Sequence, residues 1–358
     1  MTTAVRPHVD ATVETTLWGQ LPCADDKPIL TVDPGSQVTI DTVSHEGILE
    51  DQGRNPVAFF GDHGVAARDV LDDAIAIAAG APHDPADGPH VITGPIAVRG
   101  AEPGDYLAVR IDKLVPRTSY GVISSRHGKG LLPGRFPVAG PVTSVFCTVA
   151  GLENGVDAAR AALPLTPGAI TRPVRFSLAP FLGVMGVATP GSKRLNSTPP
   201  GEFGGNIDIS LLRDGTTLYL PVLVPEAGFY VGDPHFAQGN GEIALTALEA
   251  PLRATVTLDV VPADRATALF GGTRGPVART AEYLVPTGLD ADLDLAVAKC
   301  GEHAVELLAT AFGMDRELAY AYLSAATDFD ISQVVDGVKG VHARIRLADF
   351  AAVGMPAW

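Results

Sequence analysis

The sequence predicts a mainly β protein with an α+β portion toward its C-terminus, and three observations carry that expectation. Short runs alternate apolar and polar residues, as in "YLAVRIDKLV" (106–115) and "ATVTLDVV" (254–261), the period of strands with one buried face. Gly (39) and Pro (29) are spread evenly and punctuate those runs, which suits a sandwich or barrel of many short strands. Strong helical spacing is confined to a late stretch of the chain.

In chain order, strands are expected in "PILTVD" (28–33), "SQVTIDTV" (36–43), "GPIAVRG" (94–100), "DYLAVRIDKLV" (105–115), "TTLYLPVLV" (216–224) and "LRATVTLDVV" (252–261). Residues 67–79, "ARDVLDDAIAIAA", are expected to form a helix. A stronger helix is expected over 292–312, where Leu293, Val297, Cys300, Ala304, Leu307 and Ala311 follow helical spacing and Gly313 is a natural stop. Asp315 is placed to cap a further helix. The final "ISQVVDGVKGVHARIRL" (331–347) reads as two strands around a Gly-containing turn. The organisation expected is a β-rich domain over 1–250 and an α+β portion over 251–358 packed on it. Loops are expected at 81–89 and at 195–205, the latter functional because charged and amide side chains follow at once.

Composition excludes several classes. The 358 residues are 46% hydrophobic, enough to bury a large core. No apolar run reaches the 18–20 residues or so of a membrane span, and the N-terminus lacks a basic flank followed by an apolar segment, so a cytoplasmic protein is expected. The net charge of −15, with no basic stripe, argues against nucleic acid and anionic membranes as partners. It fits a small neutral or cationic substrate. Cys23, Cys147 and Cys300 lie far apart with no CxxC pair, so neither a cysteine zinc site nor a disulfide framework is expected. Cys147 and Cys300 read as core residues.

The chemistry concentrates in "VGDPHFAQGNGE" (231–242), which sets Asp233, His235, Gln238 and Glu242 among three glycines and shows no core periodicity. It reads as a glycine-rich turn whose backbone bends to bring those side chains together. Two other places gather oxygen- and nitrogen-bearing side chains: His90, Glu102 and Asp105 in 88–105, and Asn206 and Asp208 in "GGNIDIS". There is no GxSxG elbow and no phosphate-cradling GxxxxGK[ST]. The nucleophile expected is therefore water, activated by a metal or a carboxylate. Each residue has a plainer explanation. Asp105 suits a turn cap, Asp208 and Asp233 suit turn starts, and His45, Glu46, His63 and His127 are weaker candidates taken singly.

Five ordered motifs then stand out: "HVITGPIAVRGAEPGDYLAVRI" (90–111), "PFLGVMGVA" (180–188), "GEFGGNIDI" (201–209), "GDPHFAQGNGEI" (232–243) and "TDFDISQVVDGVKGVHARI" (327–345). In that order they resemble the motifs of the acetamidase/formamidase family, over roughly residues 25 to 347. The resemblance implies a β-sandwich or barrel with an α+β portion and hydrolysis of a small amide to ammonia and a carboxylate. It also implies a divalent metal, zinc being the usual one, and a homo-oligomer. Carried over residue by residue, His90, Asp208, Asp233 and His235 become the candidate metal ligands. Glu242, or else Glu102, becomes the proton carrier, and Asn206 or Gln238 the donor to a developing oxyanion. Asn240 replaces the family's Asp in that motif, and 119–136 diverges, so the substrate is open to differ. Two alternatives remain: the same scaffold acting on an imide, urea-like compound or lactone, and a β-sandwich that binds a metal or carbohydrate without turnover.

Overall fold

A computed structural model describes residues 6–169, 171–354 and 356. Two large sheets and a layer of later helices stack in the order sheet, sheet, helices, while the shorter helices Pro56–Gly61 and Asp72–Gly80 pack against the eleven-stranded sheet. The first sheet has nine strands: His8–Val9, Ser36–Asp41, Leu252–Val261, Tyr106–Pro116, Thr217–Pro221, Val277–Arg279, Tyr283–Asp290, Lys339–Arg346 and Asp328–Gln333, in that spatial order. All its neighbours are antiparallel except the first pair. The second has eleven strands and is built around Phe229–Ala237, which pairs with Phe181–Gly186, Leu248–Glu249 and Val91–Val98.

Strand alternation sorts side chains between the layers. On Tyr106–Pro116, Leu107, Val109 and Ile111 enter the core between the sheets, while Tyr106 and Ala108 face the helices. Leu218 and Leu220 likewise point in, and Tyr219 points out. The inter-sheet core takes Val38, Ile40, Val256 and Leu258 from one side and Ile92, Phe181, Val184 and Phe229 from the other. The second core packs Leu269, Phe270, Ala304, Leu307 and Leu323 on the outer face of the nine-stranded sheet. Period-2 patterning, the one signal these strands carry in sequence, thus has an apolar layer on both sides of the sheet.

The helix Leu293–Phe312 runs as expected, with the Asp292 side chain accepting from the backbone of Asp294 and Leu295, and with Gly313 left-handed at its end. Its buried stripe is Ala296, Cys300, Ala304, Leu307 and Leu308, so Val297 is exposed instead of buried. Asp315 caps Arg316–Ala326. The C-terminal hairpin forms as expected from Asp328–Gln333 and Lys339–Arg346. The helix expected over 67–79 is divided: a single 3-10 turn at Ala67–Asp69, then an α-helix at Asp72–Gly80. The break lets Val70 drop beside Phe60, Tyr120 and Val122, while the Asp69 carbonyl accepts from the Tyr120 hydroxyl. No break in the sheets falls at residue 250, because Leu252–Val261 sits between Ser36–Asp41 and Tyr106–Pro116. Among the described residues no helix is long and apolar enough to cross a membrane. All three cysteines are buried and free, and burial pushes the Cys147 thiol up to about 11.

Candidate active site and metal centre

The stretch read as a glycine-rich turn is mostly a buried strand. Phe229–Ala237 is buried along nearly its whole length, and Asp233 and His235, two residues apart, share one face of it. Charged residues in the apolar positions of a fully covered strand disguised its period. The strand is bent: Asp233 sits at φ 51°, and the pairing register shifts on both sides of it. Across the sheet, Phe181 faces His235 and Val184 faces Gly232, which leaves Gly183 beside Asp233. A Cβ on Gly183 would fall against Asp233 Oδ2, Asp208 Oδ1 and His235 Cε1. Only a glycine leaves room for that convergence.

Other segments close on the same point. Asp208 follows the strand Gly204–Asn206, and its N–H donates to the Gly183 carbonyl at 3.2 Å. Glu242 returns to the site on the turn after Ala237; Gly241 (φ 103°) bridges to Gln333 there and holds that turn against the C-terminal hairpin. His90 precedes the strand Val91–Val98, and its Nδ1 lies 3.0 Å from Ser197 Oγ. His45 comes from the loop after Ser36–Asp41, Glu249 from the short strand opposite His235, and Asp336 from the turn of the final hairpin. Asp208 (φ 50°), Asp233 and Glu242 (φ 47°) are three of the few non-glycine residues with left-handed backbone. Such backbone costs on the order of 1–3 kcal/mol each and persists where surrounding structure imposes it.

Within this cluster, buried donor and acceptor atoms approach one another without bonding. His235 Nε2 lies 2.9 Å from Asp233 Oδ2 and 3.0 Å from Glu249 Oε1, and its Nδ1 lies 4.0 Å from Asp208 Oδ1. His45 Nδ1 lies 3.5 Å from Asp233 Oδ1, and His90 Nε2 lies 3.8 Å from the same oxygen. Both ring nitrogens of His235, His45 Nδ1, both Asp208 oxygens, Asp233 Oδ1 and Glu249 Oε2 have no hydrogen-bond partner. Buried polar groups are normally paired, so this many lone pairs aimed at one another fit a cation between them. Three sets of ligand atoms lie close enough to share an ion: His45, His90 and Asp233; Asp208, His235 and Glu242; Asp233, His235 and Glu249. Asp233 belongs to two of them.

The charges point the same way. Burial pushes the Glu242 carboxyl well above its usual range, with the Asp208 charge adding to it. Burial raises Asp208 and Asp336 likewise, helped by Asp336 and Asp233 in the first case and by Glu242 and Asp233 in the second. Burial lifts Glu249 to about 7, with Asp233 beside it. Burial also opposes ionisation of Asp233, but His235 and His90 outweigh it and hold that carboxyl well below the usual range. His90 is pulled down to about 4, chiefly by burial. Burial disfavours the His45 imidazolium, yet Asp233 and Glu46 outweigh it and carry His45 up to about 10. Buried carboxylates that raise one another are relieved by a bound cation.

The sequence profile of the Acetamidase/Formamidase family matches residues 83–198 and 191–347. The chain belongs to the acetamidase/formamidase family. A formamidase of Methylophilus methylotrophus is 29% identical over 191 residues, 43% of this chain and 47% of that protein. An acetamidase of Mycolicibacterium smegmatis is 29% identical over 201 residues, 43% of this chain and 49% of that protein. The similarity thus spans about half the length of these curated relatives. The fold is also that of solved structures. An acetamidase of Bacillus halodurans superposes with TM-score 0.72 at 24% identity, covering 97% of this chain and all of that one (100%). An acetamidase of Yersinia enterocolitica superposes at TM-score 0.72 and 22% identity, covering 99% and 95%.

In this acetamidase/formamidase family chain, His90, Asp208, Asp233, His235 and Glu242 all meet in one buried cluster. Asn206 lines the cavity above it, and its Oδ1 is buried without a partner. Gln238 stands aside: its Nε2 donates to the carbonyls of Asp208 (3.0 Å) and Ser332 (3.1 Å), so its donors are spent on holding backbone. Glu102 lies outside the site. It is exposed on a turn whose Asp105 accepts from the backbone of Glu102 and of Ala263, the capping role expected of Asp105. The GAEPGD motif is therefore a structural corner. His127 is exposed, His63 stacks on Phe146 outside the cluster, and Asn240 is exposed and accepts from Ser210 Oγ.

His45, singly a weak candidate, is in the cluster; Glu249 and Asp336 were missed altogether. The signals they carry are faint. Asp336 sits in an Asp-Gly turn and Glu249 in a short strand, each with an ordinary local explanation. Over the cluster opens a cavity of about 500 Å³, whose lining also includes Asp51, Arg126 and Lys129. Arg126 donates to Glu46 Oε1 at 3.0 Å and to Asp51 Oδ2 at 2.6 Å. Burial disfavours the Glu46 charge, but His45 and Arg126 hold it down to about 2.

Proposed function

We propose that this chain hydrolyses the C–N bond of linear amides to ammonia and a carboxylate, with a divalent ion, zinc, held in the buried cluster. Family membership supports the reaction class. The observation that carries the metal reading is the set of unpartnered buried ligand atoms around Asp233 and His235. Imidazole beside carboxylate is the donor mixture zinc takes, whereas calcium prefers oxygen alone. When bound, the ion supplies Lewis acidity, polarising the amide carbonyl and bringing the pKa of water toward about 7.

The chain's own residues then have separate tasks. Three or four of His45, His90, Asp208, Asp233, His235 and Glu249, drawn from the sets whose donor atoms lie within reach of one another, would hold the ion. Ser197 Oγ turns the His90 ring by its Nδ1, leaving Nε2 to the site. Gln238 holds the backbone of Asp208. Glu242 takes the proton of the attacking water and delivers it to the departing nitrogen, a transfer amide cleavage needs because unprotonated amine leaves poorly. Asn206 donates its amide N–H to the carbonyl oxygen as charge gathers there. The exposed Leu295, Val297, Leu318 and Tyr320 on the outer helices support assembly as a homo-oligomer.

The test is ammonia release from formamide, acetamide and propionamide by metal-loaded and chelator-stripped protein in parallel. Release that is lost on stripping and restored by zinc is expected. Equal release from both preparations would overturn the metal assignment, and none from either would overturn the amidase reading.

A further inference from the structure

Four chain segments each line the cavity with a polar side chain and an apolar one: His45 with Leu49, His90 with Pro89, Glu242 with Leu245, and Asp336 with Val335. The pairing on the third segment is imposed by backbone. Glu242 and Leu245 end one turn, closed by the Leu245 N–H to the Glu242 carbonyl at 3.2 Å, and both have positive φ, 47° and 110°. A leucine at φ 110° is strained, and strain of this kind is retained where the position serves the site.

The volume is far beyond a two-carbon amide. At about 30 Å³ for each water-sized group, the four non-hydrogen atoms of acetamide fill on the order of 120 Å³. That is roughly a quarter of the 500 Å³ or so available. Pockets of 300–1,000 Å³ or so are the size that encloses larger organic ligands. Leu49, Leu245 and Val335 line the same cavity as the cluster, so an amide head placed at the cluster has apolar side chains within the cavity for its remainder.

The geometry points to a primary amide with an apolar chain or ring of about four to eight carbons as the substrate, in preference to formamide or acetamide. This inference rests on the amidase reading and specifies its substrate class. Of the two cations in the lining, Arg126 is already paired with Glu46 and Asp51, and Lys129 is exposed to solvent, which leaves the tail neutral surroundings.

The experiment is kcat/KM for acetamide, butyramide, hexanamide and phenylacetamide with the metal-loaded protein, repeated on Val335→Trp and Pro85→Trp. Both positions line the cavity; Val335 is only half-buried and Pro85 is exposed. A hexanamide-to-acetamide ratio of about tenfold or more is expected, which one of the four extra methylenes would already supply if buried, at about 10-fold or more apiece. Each tryptophan is expected to lower that ratio. Hexanamide should also raise the unfolding temperature of the native chain more than acetamide does at equal concentration. Acetamide turned over as well as hexanamide, or ratios unmoved in both folded variants, would overturn the substrate class while leaving the amidase reading intact. Turnover of none of the four would refute the amidase reading and this class with it.

Discussion

Replacing Gly183 with alanine would place a methyl group where three site residues meet. Asp208 Oδ1 stands 2.5 Å from the position of that Cβ and His235 Cε1 2.8 Å, with Asp233 Oδ2 closer still. Restoring even 3.0 Å to Asp208 requires a retreat of about 0.5 Å. The strand cannot yield instead, because Phe181–Gly186 is buried throughout and the Gly183 carbonyl accepts from the N–H groups of Ile207 (3.1 Å) and Asp208 (3.2 Å). Overpacking of this kind costs about 1–3 kcal/mol, and unfolding near 2–4 °C lower per kcal/mol is the corresponding shift. Function should suffer more. A misplacement of about 1 Å costs on the order of 100-fold, so about half that displacement, shared by three ligands, should lower kcat/KM by about 10- to 100-fold. Metal content of the purified variant should fall with it. Elemental analysis, amide turnover and thermal unfolding on the same preparation decide the matter. A folded Gly183→Ala protein with full metal content and kcat/KM within about twofold of the parent would refute the placement of the site under this glycine.

Three further outcomes are expected. Glu242→Gln should lose about 10²–10⁴ in kcat while still binding metal, as suits a proton carrier; activity within tenfold of the parent would remove Glu242 from that role. Asp336→Asn removes one of the carboxyls that burial and Glu242 keep well above the usual range. The metal-free variant should therefore unfold at a higher temperature at pH 8 and bind zinc more weakly, and a calorimetric scan and zinc titration unchanged from the parent would contradict it. His342 concerns stability alone. Burial holds its imidazole down at about 4, against an ordinary 6.5, and Asp330 offsets only part of that. Between those values the unfolded chain binds a proton that the folded chain refuses. Stability is whole above about pH 6.5 and falls as pH drops toward 4, by about 3 kcal/mol in all. His342→Gln should flatten that slope in urea unfolding at pH 7, 5.5 and 4.5, and a parallel offset at every pH would rule it out.

Much of the fold and about half of the site were legible without coordinates. Legible elements are those whose determinants are local. The alternation of Tyr106–Pro116 and Leu252–Val261 marks strands because a period of two reports a covered face directly. Leu293–Phe312 has its Asp292 cap and Gly313 stop within its own sequence. The division of residues 67–79 was not legible, since Val70 leaves the helix for partners at Phe60 and Tyr120. Residues 231–237 were read as part of a glycine-rich turn because Asp233 and His235 occupy buried positions of a strand covered on both faces, and a hydrophobic pattern cannot announce a strand whose covered positions are charged.

The motif residues His90, Asp208, Asp233, His235 and Glu242 were nameable from the sequence, because their types and order are written in it. Glu102 and Gln238 had equal standing there. Only the tertiary structure turned Glu102 out to a solvent-facing corner and committed Gln238 to backbone carbonyls. It alone raised His45 above the other weak candidates and brought in Glu249 and Asp336, from segments as distant along the chain as residues 45 and 336. Sequence separation says nothing of spatial distance once strands cross between sheets. The ligand set, the cavity over it and the space beside Gly183 are properties of how those strands pack.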